Sequence, residues 1–361
     1  MNARERILTA MRWGEPDQVA FACWLEHLPR GINERLLRDS GMGLVARANL
    51  TWVEHPNVEF VTHDYIENGQ RRVREEINTP VGSVWQTLQP DSGYGTFDRV
   101  KAFAVPFSVS SWALEYFIKG LDDYRVMEFV VRDAVYHDDY AGLREARRQL
   151  GGDGVVLARL TKMPIQEMLY YMMGMERFAL DYHLRRDLFD SLHAAMLDRL
   201  EELYDVAANA PVEIIHMTDN VSADVVGTER YRDYFMPVYD RLHSQLAGTG
   251  KLVAVHSDGR LSSLREMIAE AQFDIVEALT PPPVGDVSVR EARQAWPDKA
   301  LWLNFTSSMH TQPSAVIEAH TRQLIEEAGS RRGFGISMTE DAPFEDLERS
   351  LGVISRVLQD Y

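Results

Sequence analysis

The sequence predicts an α/β chain folded as a single TIM-type (β/α)8 barrel, with an N-terminal extension that carries a β-hairpin. Three observations predict it. From Gly154 onward, short apolar runs of strand length alternate strictly with helix-length segments, as in a parallel sheet buried on both faces. Six such units occur, and the preceding chain leaves room for more, which suits closure into a barrel. An open doubly wound sheet would announce a nucleotide site, yet no Gly-x-Gly-x-x-Gly opens a helix in the 361 residues.

The elements follow in order. The part to about residue 110 reads as irregular: a short helix over Arg4–Trp13, a strand over Val19–Leu25, and an exposed hairpin over Thr79–Leu88, where TPVGSVWQTL alternates around Pro-Val-Gly. Ser111–Ile118 and Leu121–Val131 are apolar at helical spacing. The regular part, 154–361, opens with a strand over Val155–Leu160, helical Gln166–Met173 and a long helix over Asp187–Ala208. Strands over Glu213–Met217, Leu252–Val255, Phe273–Val276, Leu301–Phe305 and Gly333–Ile336 are each followed by a helix. These are Tyr231–Leu246, Leu261–Ala271, Ser288–Ala295, Ser314–Ala328 and Pro343–Val357, and the whole of 1–361 is expected to be one domain. Gly248-Thr249-Gly250 ends a helix before a strand and is a C-cap rather than a phosphate loop.

Composition sets bounds on function. Apolar residues make up 45% of the chain, enough for a large core. Lys and Arg number 38 against 55 Asp and Glu, a net charge of −17, which argues against nucleic acid and anionic membranes as partners. It also disfavours a poly-anionic small substrate unless a local basic pocket overrides the field. The single cysteine, Cys23, excludes an internal disulfide and any Cys-x-x-Cys site. The charged start Met1–Arg6 has no apolar core of a signal peptide, and no stretch reaches the ~18 apolar residues of a membrane span, so a cytoplasmic protein is expected. Homo-oligomerisation is left open.

Barrel chemistry sits where strands end, so the residue past each strand carries the functional signal. Asp219 and Asn220 follow the second regular strand, and His256, Ser257, Asp258 and Gly259 follow the third. Glu277 follows the fourth, ahead of the stiff Pro281–Pro283; Asn304 ends the fifth; Thr339, Glu340 and Asp341 follow the sixth. Five successive ends thus carry acid–base or hard-ligand groups, and the set is expected to line one rim. Taken singly, Asp219 or Asp258 is equally an N-cap, Asn304 a turn residue, and His256 a structural histidine under a loop. Met163, Met168, Met172, Met173 and Met175 read as core or lid, Lys162 as a solvated loop lysine, and Asp133, Asp138 and Asp139 as a solvated face.

The opening RERILTAMRWGEPDQV, the hairpin TPVGSVWQTL, VHSDGRL and DIVEAL after strands, and the ending SMTEDAPFEDLERSL resemble the uroporphyrinogen decarboxylase superfamily over nearly the whole chain. That superfamily includes the haem-pathway decarboxylase and methylcobamide-dependent methyltransferases, and is related in fold to cobalamin-independent methionine synthase. The resemblance implies a barrel enzyme, a small-molecule substrate and, for the transferases, a corrinoid protein partner.

Two departures shape the expected chemistry. The decarboxylase's arginine-rich N-terminal motif is matched here by Ala22-Cys23-Trp24-Leu25-Glu26-His27-Leu28-Pro29-Arg30, with one arginine, and its late His-Gly pair is missing. Turnover of uroporphyrinogen is therefore not expected. The transferases' zinc motif, His-x-Cys and a late cysteine, is replaced by His256-Ser257-Asp258 and Ile336-Ser337-Met338-Thr339, while Glu277 sits where methionine synthase relatives place a glutamate ligand. Loss of thiolates suits zinc or another divalent metal with N and O ligands, held by His256, Asp258 and Glu277, or no metal at all. The expected activity is metal-assisted methyl or one-carbon transfer, with Asp219 and Asn220 on the acid–base or orienting side, Asn304 as hydrogen-bond donor and Glu340 as further ligand or base. The alternatives are a metal-free decarboxylase or lyase, and a non-catalytic subunit that presents a corrinoid partner.

Overall fold

A computed structural model describes residues 1–28, 32–90, 100–102, 105–107, 111–340 and 342–361. The chain divides into two compact units, each assembled from discontinuous stretches.

The first unit, Met1–Leu50, Tyr140–Leu160 and Ala207–Tyr361, contains a closed barrel of eight strands. These are β1 (Ala20–Trp24), β2 (Gly43–Asn49), β3 (Gly154–Leu160), β4 (Ile214–Val221), β5 (Leu252–Ser257), β6 (Ile275–Leu279), β7 (Ala300–Asn304) and β8 (Phe334–Met338). Every neighbouring pair is parallel, and β1 closes the ring by pairing with both β2 and β8. The (β/α)8 expectation holds. The N-terminal helix (Ala3–Met11) is started by a capping box in which Asn2 accepts from the Glu5 N–H and Glu5 reaches back to Asn2. Its apolar face, Ile7, Ala10 and Met11, packs into one cluster with inward residues of β1–β7 and so stoppers the N-terminal end of the barrel.

Strand bounds differ from expectation in one systematic way. β4, β5 and β6 run further toward their C-terminal ends than their apolar runs do, so Asp219, Asn220, His256 and Glu277 lie within strands, not after them. Periodicity marks where side chains stop being apolar; the ladder continues as long as backbone partners exist.

The second unit comprises Thr51–Asp139 and Thr161–Val206. The hairpin is present and longer than expected, with strands Gln70–Thr79 and Gly82–Pro90 inside a four-stranded antiparallel sheet. It is not simply exposed: Val84, Gln86, Thr87 and Leu88 are buried. Ser111–Ile118, expected as helix, begins as the edge strand Ser111–Glu115. The helix expected over Gln166–Met173 is a short α-helix, Pro164–Glu167, continued as a π-helix over Met168–Met173. Met163, Met168, Met172 and Met173 are buried there as core, while Met175 is 59% exposed.

Candidate active site

Seven strands of the barrel repeat one motif. An inward residue of the apolar cluster is followed, two positions nearer the C-terminal end, by a side chain of different character on the same face. The pairs are Ala22 and Trp24, Val45 and Arg47, Leu157 and Arg159, Ile214 and His216, Ala254 and His256, Ile275 and Glu277, and Ala300 and Trp302. The apolar plug is thus capped by a layer of two tryptophans, two arginines, two histidines and one glutamate. On β8, Ser337 is the register partner of Ala22, a small residue in the corresponding position.

His216, His256 and Glu277 form the centre of this layer. One ligand atom from each lies within 4.8 Å of the others. Glu277 Oε2 accepts from His256 Nδ1 at 2.7 Å and from His216 Nε2 at 3.1 Å. Glu277 and His216 are each 1% exposed and the His256 side chain 17%. Burial alone would raise the Glu277 carboxyl; the charge of His256 and the hydrogen bonds from His216 and His256 outweigh it and hold it down at about 2. Burial lowers the His216 pKa against the pull of Glu277, so its neutral imidazole is favoured. Two buried polar atoms of the trio, Glu277 Oε1 and His216 Nδ1, have no hydrogen-bond partner.

Backbone strain re-aims this strand. Ala278, directly after Glu277, has φ of 59°, and the β6–β7 register slips between Glu277 and Leu279. A non-glycine residue there costs roughly 1 kcal/mol, and a bulge is a recurrent way to turn one side chain toward a site. Beyond it, Gly285 packs so closely that a Cβ would lie 1.8 Å from the Thr280 carbonyl oxygen.

Aromatic and basic groups surround the trio. The Trp24 ring lies 5.7 Å from that of His256 and 6.5 Å from that of His216, between centroids. Arg47 stacks 3.7 Å from the Trp24 ring centroid and pairs with Glu26. Arg159 is the register partner of His216 on the adjacent strand.

Of the residues expected from sequence, His256 and Glu277 meet in this trio; the third member is His216, not Asp258. Asp258 stands one residue beyond β5, and its carboxylate accepts from the Thr280 hydroxyl at 2.8 Å. Thr280 in turn accepts from Asn304 Nδ2 at 3.2 Å, and Asn304 Oδ1 accepts from the Thr339 N–H. This polar chain ties together the ends of β5 to β8. Asp219 is fully buried and accepts from the Tyr239 hydroxyl at 2.8 Å, on the helix Met236–Leu246; Asn220 is exposed. Glu340 accepts from the Ser307 N–H at the start of the helix Ser307–His310. Asp341 and Arg30 lie outside the described residues. Reading only the residues past strand ends misses His216, Arg47, Arg159 and both tryptophans. A polar or aromatic residue two places after an inward apolar one is the signal that finds them.

The sequence pattern of the family described as uroporphyrinogen decarboxylase matches residues 136–349. No curated protein matches the chain. Among solved structures, a methyltransferase from Methanosarcina mazei superposes with a TM-score of 0.58 at 12% identity, covering 100% of this chain and 99% of that one. At that identity the likeness shows the fold alone. The muconate cycloisomerase from Pseudomonas fluorescens, at 11% identity, covers 86% of this chain and 78% of its own, but its TM-score is 0.25 and supports nothing further. Because the family pattern spans more than half of its length, this chain belongs to the uroporphyrinogen decarboxylase family.

Proposed function

We propose that the chain is an enzyme of this family that transfers a methyl or other one-carbon group of a small organic substrate, assisted by a divalent cation held by His216, His256 and Glu277. The observation that carries the reading is the convergence of three ligand atoms, from neighbouring strands of the barrel, within 4.8 Å of one another. The residues fit such an ion. Two imidazoles and one carboxylate, with no thiolate, suit zinc or another divalent metal with N and O ligands. The unspent Glu277 Oε1 and His216 Nδ1 are the buried polar atoms that a further partner would satisfy. When bound, the cation supplies Lewis-acid polarisation of a substrate oxygen. The chain's own groups do the rest: Glu277 stays ionised and fixes both imidazoles, Trp24 and Trp302 exclude water, and the Asp258–Thr280–Asn304 chain holds the strand ends. A corrinoid protein as the methyl-carrying partner belongs to the same reading and rests on the family resemblance.

Elemental analysis of protein purified without chelator tests it. Close to one equivalent of a divalent metal, lost in Glu277→Ala, is expected. Less than about a tenth of an equivalent, unchanged by that substitution, would sink the metal reading.

One observation favours a second reading, a metal-free decarboxylase or lyase. Glu277 Oε2 is already shared by two imidazole N–H groups, so the trio is compensated without an ion. His256 and Glu277 would then move protons directly. Activity retained after chelation separates the two.

A further inference from the structure

We propose that Arg159 anchors the carboxylate of a small organic monoanion at the layer above the barrel core. The proposal rests on reading that layer as the substrate level of the barrel, and it names the chemical class the layer takes.

Arg159 faces inward, since Leu157 two residues earlier belongs to the core cluster and alternate residues of a strand share a face. Its Nη2 donates to Asn49 Oδ1 at 2.7 Å, but its buried Nε–H has no partner. No carboxylate of the described residues forms an ion pair with it. The other charges of the layer are matched: Arg47 pairs with Glu26, and Glu277 is held by His216 and His256. Arg159 is thus the arginine of the layer with no direct ion pair among the described residues, Glu26 being engaged by Arg47. Buried ionised groups are normally paired, and a protein that keeps one unpaired bears a stability cost. Burial and the nearby Arg47 push the Arg159 pKa down, and the charge of Glu26, which pairs with Arg47, offsets this only in part. A second buried donor in the same layer, Trp302 Nε1, is also unspent.

The class of ligand follows from these groups. A guanidinium edge with a free Nε–H matches the planar fork of a carboxylate. One unmatched positive charge calls for a monoanion rather than phosphate. In a chain of net charge −17, an anion needs such a local cation to be held at all. His216 lies beside Arg159 on the next strand, so a molecule gripped there by its carboxylate presents its remainder to His216, His256 and Glu277.

The test uses the full-length protein dialysed against EDTA, its thermal unfolding followed while sodium acetate, methoxyacetate or benzoate is added. Sodium chloride and sodium phosphate at equal ionic strength are the controls. At least one carboxylate should raise the wild-type Tm saturably by about 2 °C or more, at up to about 50 mM. Neither control should do so. Arg159→Met should abolish the response while its ligand-free Tm stays at or above that of the wild type, a result that a structural arginine would not give. If Arg159→Met fails to fold, Arg159→Lys, which keeps the charge and loses the fork, should weaken the response at least several-fold. No shift with any carboxylate, an equal shift in the variant, or a phosphate shift as large as the carboxylate's would overturn the proposal. Because the protein is chelated, the outcome is independent of the metal content, so failure here and failure of the metal reading remain distinguishable.

Discussion

His256 and Glu277 are register partners on β5 and β6, and the imidazole Nδ1 stands 2.7 Å from the carboxylate Oε2 in a site where Glu277 is 1% exposed. Such a pair is held in place by what each group would lose without the other. Glu277→Ala leaves the buried His216 N–H and the half-buried His256 N–H without their acceptor, and an unsatisfied buried donor costs about 1–3 kcal/mol. Thermal or urea unfolding should show a loss of at least about 1 kcal/mol. A variant as stable as the wild type would mean that the Glu277–imidazole hydrogen bonds are not made in solution.

The bulge beside that pair gives a test of strain. Ala278 holds a left-handed φ of 59°. Glycine adopts it freely, so Ala278→Gly should be neutral or slightly stabilising. A β-branched residue does not, so Ala278→Val should cost more than about 1 kcal/mol. Equal effects of the two in chemical unfolding would argue against the conformation.

A buried histidine elsewhere sets a pH dependence. His310 is fully buried; its Nδ1 lies 2.7 Å from the Ser350 hydroxyl and its Nε2 3.2 Å from the Phe305 carbonyl oxygen. Burial lowers its pKa from 6.5 to about 4. The folded pKa lies below the unfolded one, so the contribution to stability is complete above pH 6.5 and is lost as the pH falls toward 4. Over that window the wild type should lose on the order of 2–3 kcal/mol through this one group. In His310→Gln the slope of unfolding free energy against pH should be smaller by up to about one proton's worth, roughly 1.4 kcal/mol per pH unit. An unchanged slope would place the imidazole in contact with water.

The barrel was legible in the sequence because burial on both faces makes each strand a continuous apolar run, and the intervening helices show their own period. His256 and Glu277 were legible because they end such runs. His216 and Arg159 were not. Each interrupts an apolar run, Ile-Ile-His-Met and Val-Val-Leu-Ala-Arg-Leu, and local pattern cannot say whether the interruption faces the barrel interior. That depends on which residue of the next strand is its partner, a long-range fact. Asp219 shows the same limit: it ends an apolar run, and the pattern did not foretell that its buried carboxylate accepts from Tyr239 of a neighbouring helix.

Substrate choice gives a further prediction. The inward layer offers two arginines, and Arg47 is already paired with Glu26. An octa-anionic tetrapyrrole would need several more cations than Arg159 supplies. Anaerobic assay with uroporphyrinogen should therefore yield no coproporphyrinogen, and clear turnover would refute this account of the layer.

The last prediction separates two ligand sets for the proposed cation. Sequence spacing favours His256, Asp258 and Glu277, because alternate residues of an extended strand point the same way. Such alignment requires the strand to continue through Asp258, and β5 ends at Ser257. Beyond it, the Asp258 carboxylate accepts a hydrogen bond from the Thr280 hydroxyl, and Thr280 accepts in turn from Asn304, so moving Asp258 toward an ion would break a chain that ties strand ends together. His216 has no such commitment: its one hydrogen bond goes to Glu277, and its Nδ1 is unspent. Loss of a direct ligand should weaken retention by more than the roughly 10–100-fold typical of losing an outer-shell partner. In purified protein challenged with a chelator, His216→Ala should therefore lose its divalent metal at concentrations that the wild type withstands, while Asp258→Ala retains it. Retention in His216→Ala with loss in Asp258→Ala would return Asp258 to the ligand set and remove His216 from it.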